Sequence, residues 1–470
     1  MRIIYTLFLW LLLPLVFVRL ALKSRRQPEY LQHINERFGF YPLSLNSPPE
    51  NFSLQSSDET ASHSTKPASW QVAGYPVCGE SVARGAKPSK REKQFLTLPL
   101  IWLHAVSVGE TRATASLVAR LRAAYPDYQI LLTHTTPTGR EAGEQLYGDD
   151  VLRVYLPYDY PFAVRRFLRH FRPKIGILME TEIWFNLIHE GYDAGVPMLL
   201  LNARMSEKSA KGYARISSLT RSALQKLSAI AAQTSDDAAR LNRLGAQQVS
   251  MMGNLKFDIA PPQAMLELGL SLRRQFGDGR KIFLAASTRE GEEGLILDAW
   301  QAQDFSPDVL LVIVPRHPQR FDRIADMLSR RGLRYQRRSE NNEVSADVQV
   351  VLGDSMGEMF AYYAAADIAF IGGSLLPFGG QNLIEACAVG TPVLIGPHTY
   401  NFSEATRLAV EAGAAVQVNN AQQLMQTARD LLDDVSALEL MSKQGAKFVA
   451  SHQGATDKAM QIINEVICSR

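Results

Sequence analysis

Apolar segments of strand length alternate with helical stretches along most of this chain, and they fall into two sets. The first set comprises LPLIWLHAV, YQILLTHT, VLRVYLPY, KIGILME, VPMLLLNA, LSAIAAQ and VSMMG. The second set begins near Lys281 and comprises KIFLAAS, DVLLVIVP, DVQVVLG, IAFIGG, TPVLIG and AAVQV. Because strands that alternate with helices form parallel sheets with right-handed crossovers, this pattern predicts an α/β protein.

The length of the chain also favours two domains, since 470 residues exceed what one ordinary core can hold. We expect two Rossmann-like domains that face each other across a cleft, at residues 95–258 and 259–470. Ligands of such sheets bind at the carboxyl ends of the strands. The polar residues that follow each strand are therefore the candidates for function.

Residues 1–24 predict a membrane helix. The run from Ile3 to Leu22 is almost entirely apolar and has about the length that spans a bilayer. A cleaved signal peptide is the competing interpretation, but no small-residue cleavage site follows the run. Basic residues follow instead, at Lys23, Arg25 and Arg26, which predicts that the rest of the protein lies in the cytoplasm, tethered to the membrane.

A polar region separates this helix from the first strand. Residues 25–42 are predicted to form a short connection. Residues 43–94 are rich in Ser, Pro, Asn, Glu and Lys and poor in aliphatic residues. Such a composition cannot bury enough apolar surface to offset the entropy of ordering, so we expect a disordered insertion, to which no chemistry is assigned.

Charge and cysteine content exclude some classes of protein. A net charge of +3 does not suggest a nucleic-acid binder. Cys78, Cys387 and Cys468 are far apart, which predicts neither a disulfide framework nor a metal site and fits a reducing compartment. There is no GxxxxGK[ST] loop, and no GxGxxG near the first strand of either set, so a P-loop enzyme and an NAD enzyme are unsupported.

The segment HAVSVGE places a carboxylate, Glu110, in the first turn of the helix that follows the first strand. A helix terminus stabilises such a carboxylate as an anion, and it could accept a proton from a substrate hydroxyl. The alternative, a glutamate that only complements the helix dipole, is commoner in general. The position at the carboxyl end of a strand favours a functional role.

A glycine-rich loop lies in Ala369–Pro397. An apolar strand leads into two Gly-Gly pairs, and a short helix is predicted to open at Asn382 and to carry Glu385 on its first turn. Glycines and a helix N-terminus let backbone N–H groups approach a phosphate, and Glu385 could reach ribose hydroxyls. An ordinary strand–loop–helix crossover is an almost equally good interpretation.

Other polar groups follow other strands. Arg316 in PRHPQRF could neutralise a nucleotide phosphate, and the backbone of Met356, Gly357 and Glu358 in GDSMGEM could approach a base or a ribose. Glu180 and Glu182 in METEIW could orient the substrate or their own loop. In TTPTGR, simple helix capping is slightly favoured over a role for Arg140.

A cluster of cations occurs in NARMSEKSAKGYAR. Arg204, Lys208 and Lys211 could hold the phosphates of an anionic lipid headgroup, although a solvated helix face is the default interpretation of such a run.

Nine segments, in a fixed order, resemble the 3-deoxy-D-manno-octulosonic acid (Kdo) transferases of lipid A assembly. They are HAVSVGE, LPYD, ETEIW, NAR-S-KS--GY, G-LKFD, PRHP-RF, GD-MGE, GGSL and GPHT-NF. The resemblance covers nearly the whole chain apart from the polar insertion. It implies a GT-B fold and an inverting transfer of Kdo from CMP-Kdo to a lipid A precursor, lipid IVA, without a metal or cofactor. It also implies a location among the lipids of the cell inner membrane, on its cytoplasmic face.

The resemblance also assigns roles to residues. The family's general base falls on Glu110. The positions that contact CMP fall on Pro315, Arg316, Met356, Gly357, Glu358, Asn382, Leu383, Ile384 and Glu385.

Two departures from the family pattern affect only local loops. The segment before the first strand is longer than expected, and Leu376-Pro377-Phe378 stands in the glycine loop where more polar residues are expected. Two alternatives stay open from the residues themselves. One is another GT-B glycosyltransferase that uses a UDP-sugar, and the other is a non-catalytic nucleotide or lipid sensor on the same fold.

Overall fold

The computed structural model describes residues 1–25, 27–42, 98–303 and 305–469. The predicted insertion at 43–94 and Cys78 lie outside the described residues. The chain forms two compact units, one made of Met1–Met252 with Thr456–Arg470 and the other of Gly253–Ala455. Each unit contains one seven-stranded parallel sheet, which confirms the predicted fold class.

The sheet of the first unit has the strand order β3-β2-β1-β4-β5-β6-β7. Its strands are β1 Leu100–His104, β2 Gln129–His134, β3 Leu152–Tyr155, β4 Ile175–Met179, β5 Met198–Ala203, β6 Ala229–Ala232 and β7 Val249–Met251. These are the seven segments predicted from the sequence. Most of their residues are apolar, and every residue of β1 and β4 is buried, as is typical of a parallel sheet that is covered on both faces.

Nine helices are described before the end of β7. They are α1 Arg2–Ser24, α2 Val108–Ala113, α3 Ala115–Ala124, α4 Pro137–Tyr147, α5 Pro161–Phe171, α6 Phe185–Asp193, α7 Glu207–Ala214, α8 Ser217–Leu224 and α9 Ser235–Arg243. Among the described residues, α1 is the one helix that is long and apolar enough to cross a membrane.

The sheet of the second unit has the order β10-β11-β9-β8-β12-β13-β14. Its strands are β8 Lys281–Thr288, β9 Val309–Pro315, β10 Tyr335–Arg337, β11 Val350–Leu352, β12 Ile368–Ile371, β13 Val393–Ile395 and β14 Ala415–Gln417. Six were predicted. The seventh, β10, was not predicted, because this short edge strand is polar and half-buried and carries no apolar run.

Eight helices follow in the second unit, and a last helix returns to the first. They are α10 Gln263–Phe276, α11 Glu292–Ala302, α12 Phe321–Arg330, α13 Met359–Ala365, α14 Ile384–Ala388, α15 Ser403–Glu411, α16 Ala421–Asp433, α17 Val435–His452 and α18 Ala455–Cys468. The hydroxyl of Tyr125 donates to Asn464 Oδ1 at 2.5 Å, and Arg120 pairs with Asp457 at 2.8 Å. This differs from the predicted domain 259–470, because an amphipathic helix does not reveal which sheet it covers.

A tight contact between β1 and β4 depends on a glycine. Gly176 lies opposite Trp102 in the strand register, and a Cβ at Gly176 would come within 2.7 Å of the indole ring. The fully buried Trp102 donates its Nε1–H to Thr133 Oγ1 at 2.9 Å. Because Gly176 has no side chain, the indole ring of Trp102 can lie directly against the backbone of the neighbouring strand β4.

In each sheet the strand order reverses beside the first strand. β1 lies between β2 and β4, and β8 lies between β9 and β12. In open α/β sheets, ligands bind outside the carboxyl ends of the strands at such a reversal. The loops after β1 and β4, and those after β8 and β12, therefore frame the candidate sites of the two units.

Candidate active site

Three carboxylates lie at the carboxyl edge of the first sheet. Glu110 lies in α2, just after β1, and Glu180 and Glu182 follow β4 directly. β1 and β4 are paired up to His104 opposite Leu178, so the two loops leave the sheet side by side. The fold therefore joins HAVSVGE and METEIW, which the sequence alone could treat only separately.

Hydrogen bonds hold the Glu110 carboxylate in place. Ser107 is the N-cap of α2; its Oγ accepts the Glu110 N–H at 3.3 Å and donates to Glu110 Oε1 at 2.9 Å. The Val106 N–H donates to Glu110 Oε2 at 2.9 Å. This reciprocal pattern resembles a capping box, and it confirms that Glu110 lies in the first helical turn. The carboxylate closes the helix start and is also held in one orientation.

The surroundings of Glu110 favour its protonated form. Burial raises the pKa of Glu110 above its ordinary value of 4.5, and the negative charge of Glu180, followed by that of Glu182, adds to the rise. The hydrogen bonds from Val106 and Ser107 act in the opposite direction, because they favour the carboxylate. A carboxylate with a raised pKa accepts a proton more readily, as a general base for a hydroxyl requires.

The loop after β4 is tied to the end of β1. Glu182 accepts a hydrogen bond from Trp184 Nε1 and lies 3.8 Å from Nε2 of the buried His104. On its other side, His104 Nδ1 lies 2.9 Å from Thr133 Oγ1. These contacts agree with the predicted orienting role of the METEIW loop. In the part of the chain that is described, no group of three or more His, Cys, Asp or Glu residues could hold a metal ion.

Strained backbone lies at the same edge. Glu180 and Asn202 have φ values of 56° and 53°, in the left-handed region that residues other than glycine seldom adopt. The Glu180 N–H donates to the Leu201 carbonyl at 3.1 Å, and the Arg204 N–H donates to the Glu180 carbonyl at 3.2 Å. Strain of this kind persists where surrounding bonds enforce it, and it is common at functional sites.

The cations predicted to bind acceptor phosphates follow β5, the neighbour of β4. Arg204 is half-buried just after the strand, and Lys208 and Lys211 are exposed on α7. The nearby Glu207 pairs with Arg240, at 3.3 Å, and with Arg243, at 3.2 Å. The fold therefore places all three cations in the segment that leaves the edge where Glu110 lies.

The TTPTGR segment is a helix cap. Thr136 is the N-cap of α4 and accepts the Gly139 N–H at 3.1 Å, which confirms the capping interpretation. Arg140 donates to the buried carboxylate of Glu36 at 2.8 Å, so its charge is already paired.

At the carboxyl edge of the second sheet, Pro315 ends β9 and Arg316 follows it. The Arg316 N–H donates to the carbonyl of Thr288, the last residue of the neighbouring β8, at 3.0 Å. The pKa of His317 is lowered by burial and then by the positive charges of Arg289, Arg316 and Arg320. This edge is therefore electropositive, as a site for a phosphate would be.

One of these arginines, Arg320, forms an ion pair with a buried carboxylate. Arg320 donates to both oxygens of Glu293, at 2.7 and 2.6 Å, and Glu293 is fully buried. The Thr288 hydroxyl donates to the same carboxylate at 2.7 Å. Arg289 instead lies over the Phe378 ring, 4.8 Å from its centroid. Arg320 lies in the PRHPQRF segment, but no role was predicted for it or for Glu293, since a buried ion pair between distant residues leaves no local pattern.

A buried carboxylate shapes the glycine-rich loop. Glu292, in the first turn of α11, accepts the N–H groups of Arg289 at 2.8 Å, Gly373 at 2.6 Å and Leu375 at 3.0 Å. At Gly372 a Cβ would lie 2.5 Å from the Ser287 carbonyl oxygen. The loop after β12 is thus held against the loop after β8. Sequence reasoning missed Glu292, for which an acidic first turn after β8 was the only signal.

The predicted CMP contacts at Met356, Gly357 and Glu358 follow β11. Met356 is 54% exposed and Gly357 has a φ of 83°. Glu358 Oε2 accepts the Ser355 hydroxyl at 2.7 Å and lies 3.4 Å from Arg338 Nε. The side chain of Glu358 is therefore held by protein groups, whereas Met356 and the Gly357 backbone face solvent.

The helix after the glycine-rich loop begins later than predicted. α14 begins at Ile384 with Leu383 as N-cap, so the prediction that it opens at Asn382 is wrong. Asn382 Oδ1 accepts the Ile384 N–H at 3.1 Å, and Asn382 Nδ2 donates to Glu385 Oε1 at 3.0 Å. The Asn382 side chain thus caps the start of α14 from outside the helix. Because α14 has only five residues, its dipole contributes little to anion binding.

Comparison with known families matches both units. The model of the family described as 3-deoxy-D-manno-octulosonic-acid transferase (kdotransferase) matches residues 32–259. The model of the glycosyl transferases group 1 matches residues 281–448.

Two curated relatives match most of the chain. The 3-deoxy-D-manno-octulosonic acid transferase of Bordetella pertussis is 43% identical over 84% of this chain and 92% of its own length. The enzyme of the same name from Haemophilus influenzae is 34% identical over 98% of each chain.

Solved structures support the fold. The crystal structure of Anabaena Alr3699/HepE in complex with UDP-glucose matches 79% of this chain and 100% of its own, with a TM-score of 0.51 and 14% identity. At that identity the likeness concerns the fold alone. The fold is GT-B, and the curated relatives show that this chain belongs to the 3-deoxy-D-manno-octulosonic acid (Kdo) transferase family.

Proposed function

We propose that this protein transfers Kdo from CMP-Kdo to lipid IVA, a lipid A precursor, with inversion at the anomeric carbon. The observation that carries the proposal is Glu110, a buried carboxylate of raised pKa at the strand-order reversal of the first sheet. The membership of the chain in the Kdo transferase family supports it. We place the reaction at the cytoplasmic face of the inner membrane, because the acceptor is a lipid and α1 is apolar.

The proposed step is a direct displacement. The primary hydroxyl oxygen of the acceptor attacks the anomeric carbon of Kdo while the bond from that carbon to the phosphate oxygen of CMP breaks. Glu110 takes the hydroxyl proton, and CMP leaves with the electron pair of the broken bond. The raised pKa of Glu110 supports this role, since a general base works best when its pKa approaches the working pH.

The second unit is proposed to bind the donor. Arg316 would stabilise the negative charge on the departing CMP phosphate, because a fixed cation aimed at developing charge lowers the barrier. The segments Met356–Glu358 and Asn382–Glu385 would contact the base and the ribose. The surroundings of His317 support this assignment: burial lowers its pKa, and the positive charges of Arg289, Arg316 and Arg320 at this edge of the sheet lower it further.

The first unit is proposed to bind the acceptor. Arg204, Lys208 and Lys211 would hold the phosphates of the glucosamine disaccharide, because guanidinium and ammonium groups bind phosphate through charge-assisted hydrogen bonds. Their place after β5, next to the loop that carries Glu180, supports a position close to Glu110.

Substitution of the proposed base tests the mechanism. Glu110→Gln should lower the rate of Kdo transfer by about 100-fold or more, because the amide cannot accept the proton. CMP-Kdo should still raise the melting temperature as in the wild type. Glu141→Gln is the matched control, since Glu141 is exposed on α4, and it should keep the full rate. A Glu110→Gln enzyme that transfers Kdo at the wild-type rate would overturn the proposal.

Ligand competition and product analysis test the donor and the acceptor. CMP should raise the melting temperature and inhibit the transfer, whereas UDP should do neither. Mass spectrometry of the product made from CMP-Kdo and lipid IVA should show added Kdo. Protection by UDP but not by CMP would indicate a UDP-sugar transferase, and binding of CMP-Kdo without any product would indicate a sensor.

A further inference from the structure

The N-terminal helix α1 is attached to the first unit at its very beginning. The Arg2 guanidinium donates to Asn186 Oδ1 at 3.1 Å and to the carboxylate of Glu190, and it lies 3.4 Å from Asp193. All three partners belong to α6, and Glu190 is buried. This charged contact fixes the start of α1 on the surface of the unit.

The same face of α1 remains in contact with the unit further along. The Tyr5 hydroxyl donates to the buried Asp159 at 2.9 Å, and the Tyr160 hydroxyl donates to the Leu9 carbonyl at 2.8 Å. Hydrogen bonds of this kind orient the helix as well as attaching it. The inner face of the first half of α1 is therefore held by polar groups of the protein.

The far end of α1 is also attached. Phe17 stacks on Phe38 with 5.7 Å between the ring centroids, and Leu20 is buried. The stretch from Arg2 to Leu20 covers about 27 Å, close to the thickness of the hydrocarbon core of a bilayer. If α1 spanned the membrane while it kept these contacts, charged partners such as Glu190 would enter the hydrocarbon, which is costly.

The outer face of α1 is a continuous apolar surface. Its eight members follow one another at intervals of one to four residues and are between 55% and 76% exposed: Ile3, Ile4, Leu7, Phe8, Leu11, Leu15, Val18 and Leu22. The exposed cations Arg19, Lys23 and Arg25 lie toward the end of the helix. Apolar side chains beside cations match the chemistry of the interface of an anionic bilayer.

We propose that α1 does not cross the membrane but lies in the plane of its interface, with both ends on the side that holds the first unit. The outer face is buried among the acyl chains of a bilayer that contains anionic phospholipid, and the inner face stays on α6. This inference concerns membrane topology and does not depend on the donor, the acceptor or the base.

Thiol labelling of the full-length protein in inverted inner-membrane vesicles tests the topology. One variant carries a single accessible cysteine in a short extension before Met1, in a Cys78→Ser, Cys468→Ser background. The reference variant keeps Cys468, which is exposed on the first unit, in a Cys78→Ser background. A maleimide that cannot cross membranes should label both thiols without detergent. Labelling of Cys468 alone, with the N-terminal thiol reached only after detergent, would overturn the proposal.

Substitution of the outer face tests the membrane contact. Leu7→Asp with Leu11→Asp should weaken co-sedimentation with vesicles of phosphatidylethanolamine and phosphatidylglycerol by about tenfold or more. The matched control is Leu146→Asp with Leu270→Asp, since both leucines are exposed elsewhere, and it should bind as the wild type does. Equal binding by both variants would overturn the proposal. Kdo transfer to an acceptor in detergent is measured in parallel, so that loss of activity and loss of binding are separated.

Discussion

At the scale of single residues, Glu110 combines a structural and a chemical role. Its carboxylate closes the start of α2 through Ser107 and Val106, and its burial raises its pKa. The sequence predicts the place of Glu110 in the first helical turn, whereas its bonds to Ser107 and Val106 come from the structure. The sequence cannot predict the neighbouring charge of Glu180, which comes from another strand.

The charge of Glu180 can be removed without a change of size. In the wild type, the negative charge of Glu180 opposes the ionisation of Glu110. Glu180→Gln removes this charge and should therefore lower the pKa of Glu110. Since the base acts when deprotonated, the acid limb of the pH profile of kcat/KM should move to lower pH. Glu182→Gln is the comparison and should cause a smaller move, as its charge contributes less. If the acid limb of the kcat/KM profile were unchanged in Glu180→Gln, Glu110 would not be the base whose titration limits the rate.

The cap can be weakened in the same way. Ser107→Ala should lower the free energy of unfolding by about 1 kcal/mol, because the first turn of α2 loses its side-chain acceptor. It should also raise the pKa of Glu110 further, since the carboxylate loses a donor, so the acid limb should move to higher pH. Ser107→Thr keeps the hydroxyl and should resemble the wild type in both measurements. An unchanged profile in Ser107→Ala would show that this bond does not tune the base.

At the scale of elements, thirteen of the described strands follow from the sequence because each lies in a segment with an apolar run. β10 does not follow from the sequence, since this edge strand consists of half-buried residues and has no apolar run. α14 begins two residues after the predicted start because the Asn382 side chain caps it from outside the helix. Local pattern thus predicts the elements, whereas side-chain contacts decide their ends.

The glycine-rich loop depends on an element that lies far from it in sequence. Glu292→Gln should lower the free energy of unfolding of the second unit by about 2–4 kcal/mol, because a neutral amide replaces a carboxylate that accepts three backbone N–H groups. The thermal stabilisation by CMP should shrink as well, because the loop belongs to the proposed donor site.

Glu290→Gln is the control for this change. Glu290 is exposed and its ion pair with Arg323 is exposed too, so the loss should stay within about 0.5 kcal/mol. Chemical denaturation and thermal shift with CMP measure both variants. Equal stability of Glu292→Gln and Glu290→Gln would contradict the role given to the buried carboxylate.

At the scale of the whole molecule, the alternation of strands and helices predicts two sheets, and the structure has two. The assignment of α18 to the first unit could not be predicted, because its apolar face fits either sheet. Contacts such as that of Tyr125 with Asn464 decide the matter, and they join residues more than three hundred positions apart.

A shortened chain tests this assignment. Removal of residues 456–470 should lower the melting temperature of the first unit and leave that of the second, identified as the transition that CMP raises, unchanged. Removal of Ser469 and Arg470 alone is the control and should change neither. Calorimetry with and without CMP separates the two transitions. A fall confined to the CMP-sensitive transition would place α18 with the second unit instead.

The return of the chain to the first unit sets an order of events during synthesis. While the ribosome is still making α17, the nascent first unit already has all seven strands but lacks α18, which contributes Val466 and Ile467 to the groove beside Tyr128 and Leu168. The second unit is complete in the chain as soon as α17 has been made, before α18. We therefore expect the part of the enzyme that is synthesised first to be the part that finishes folding last.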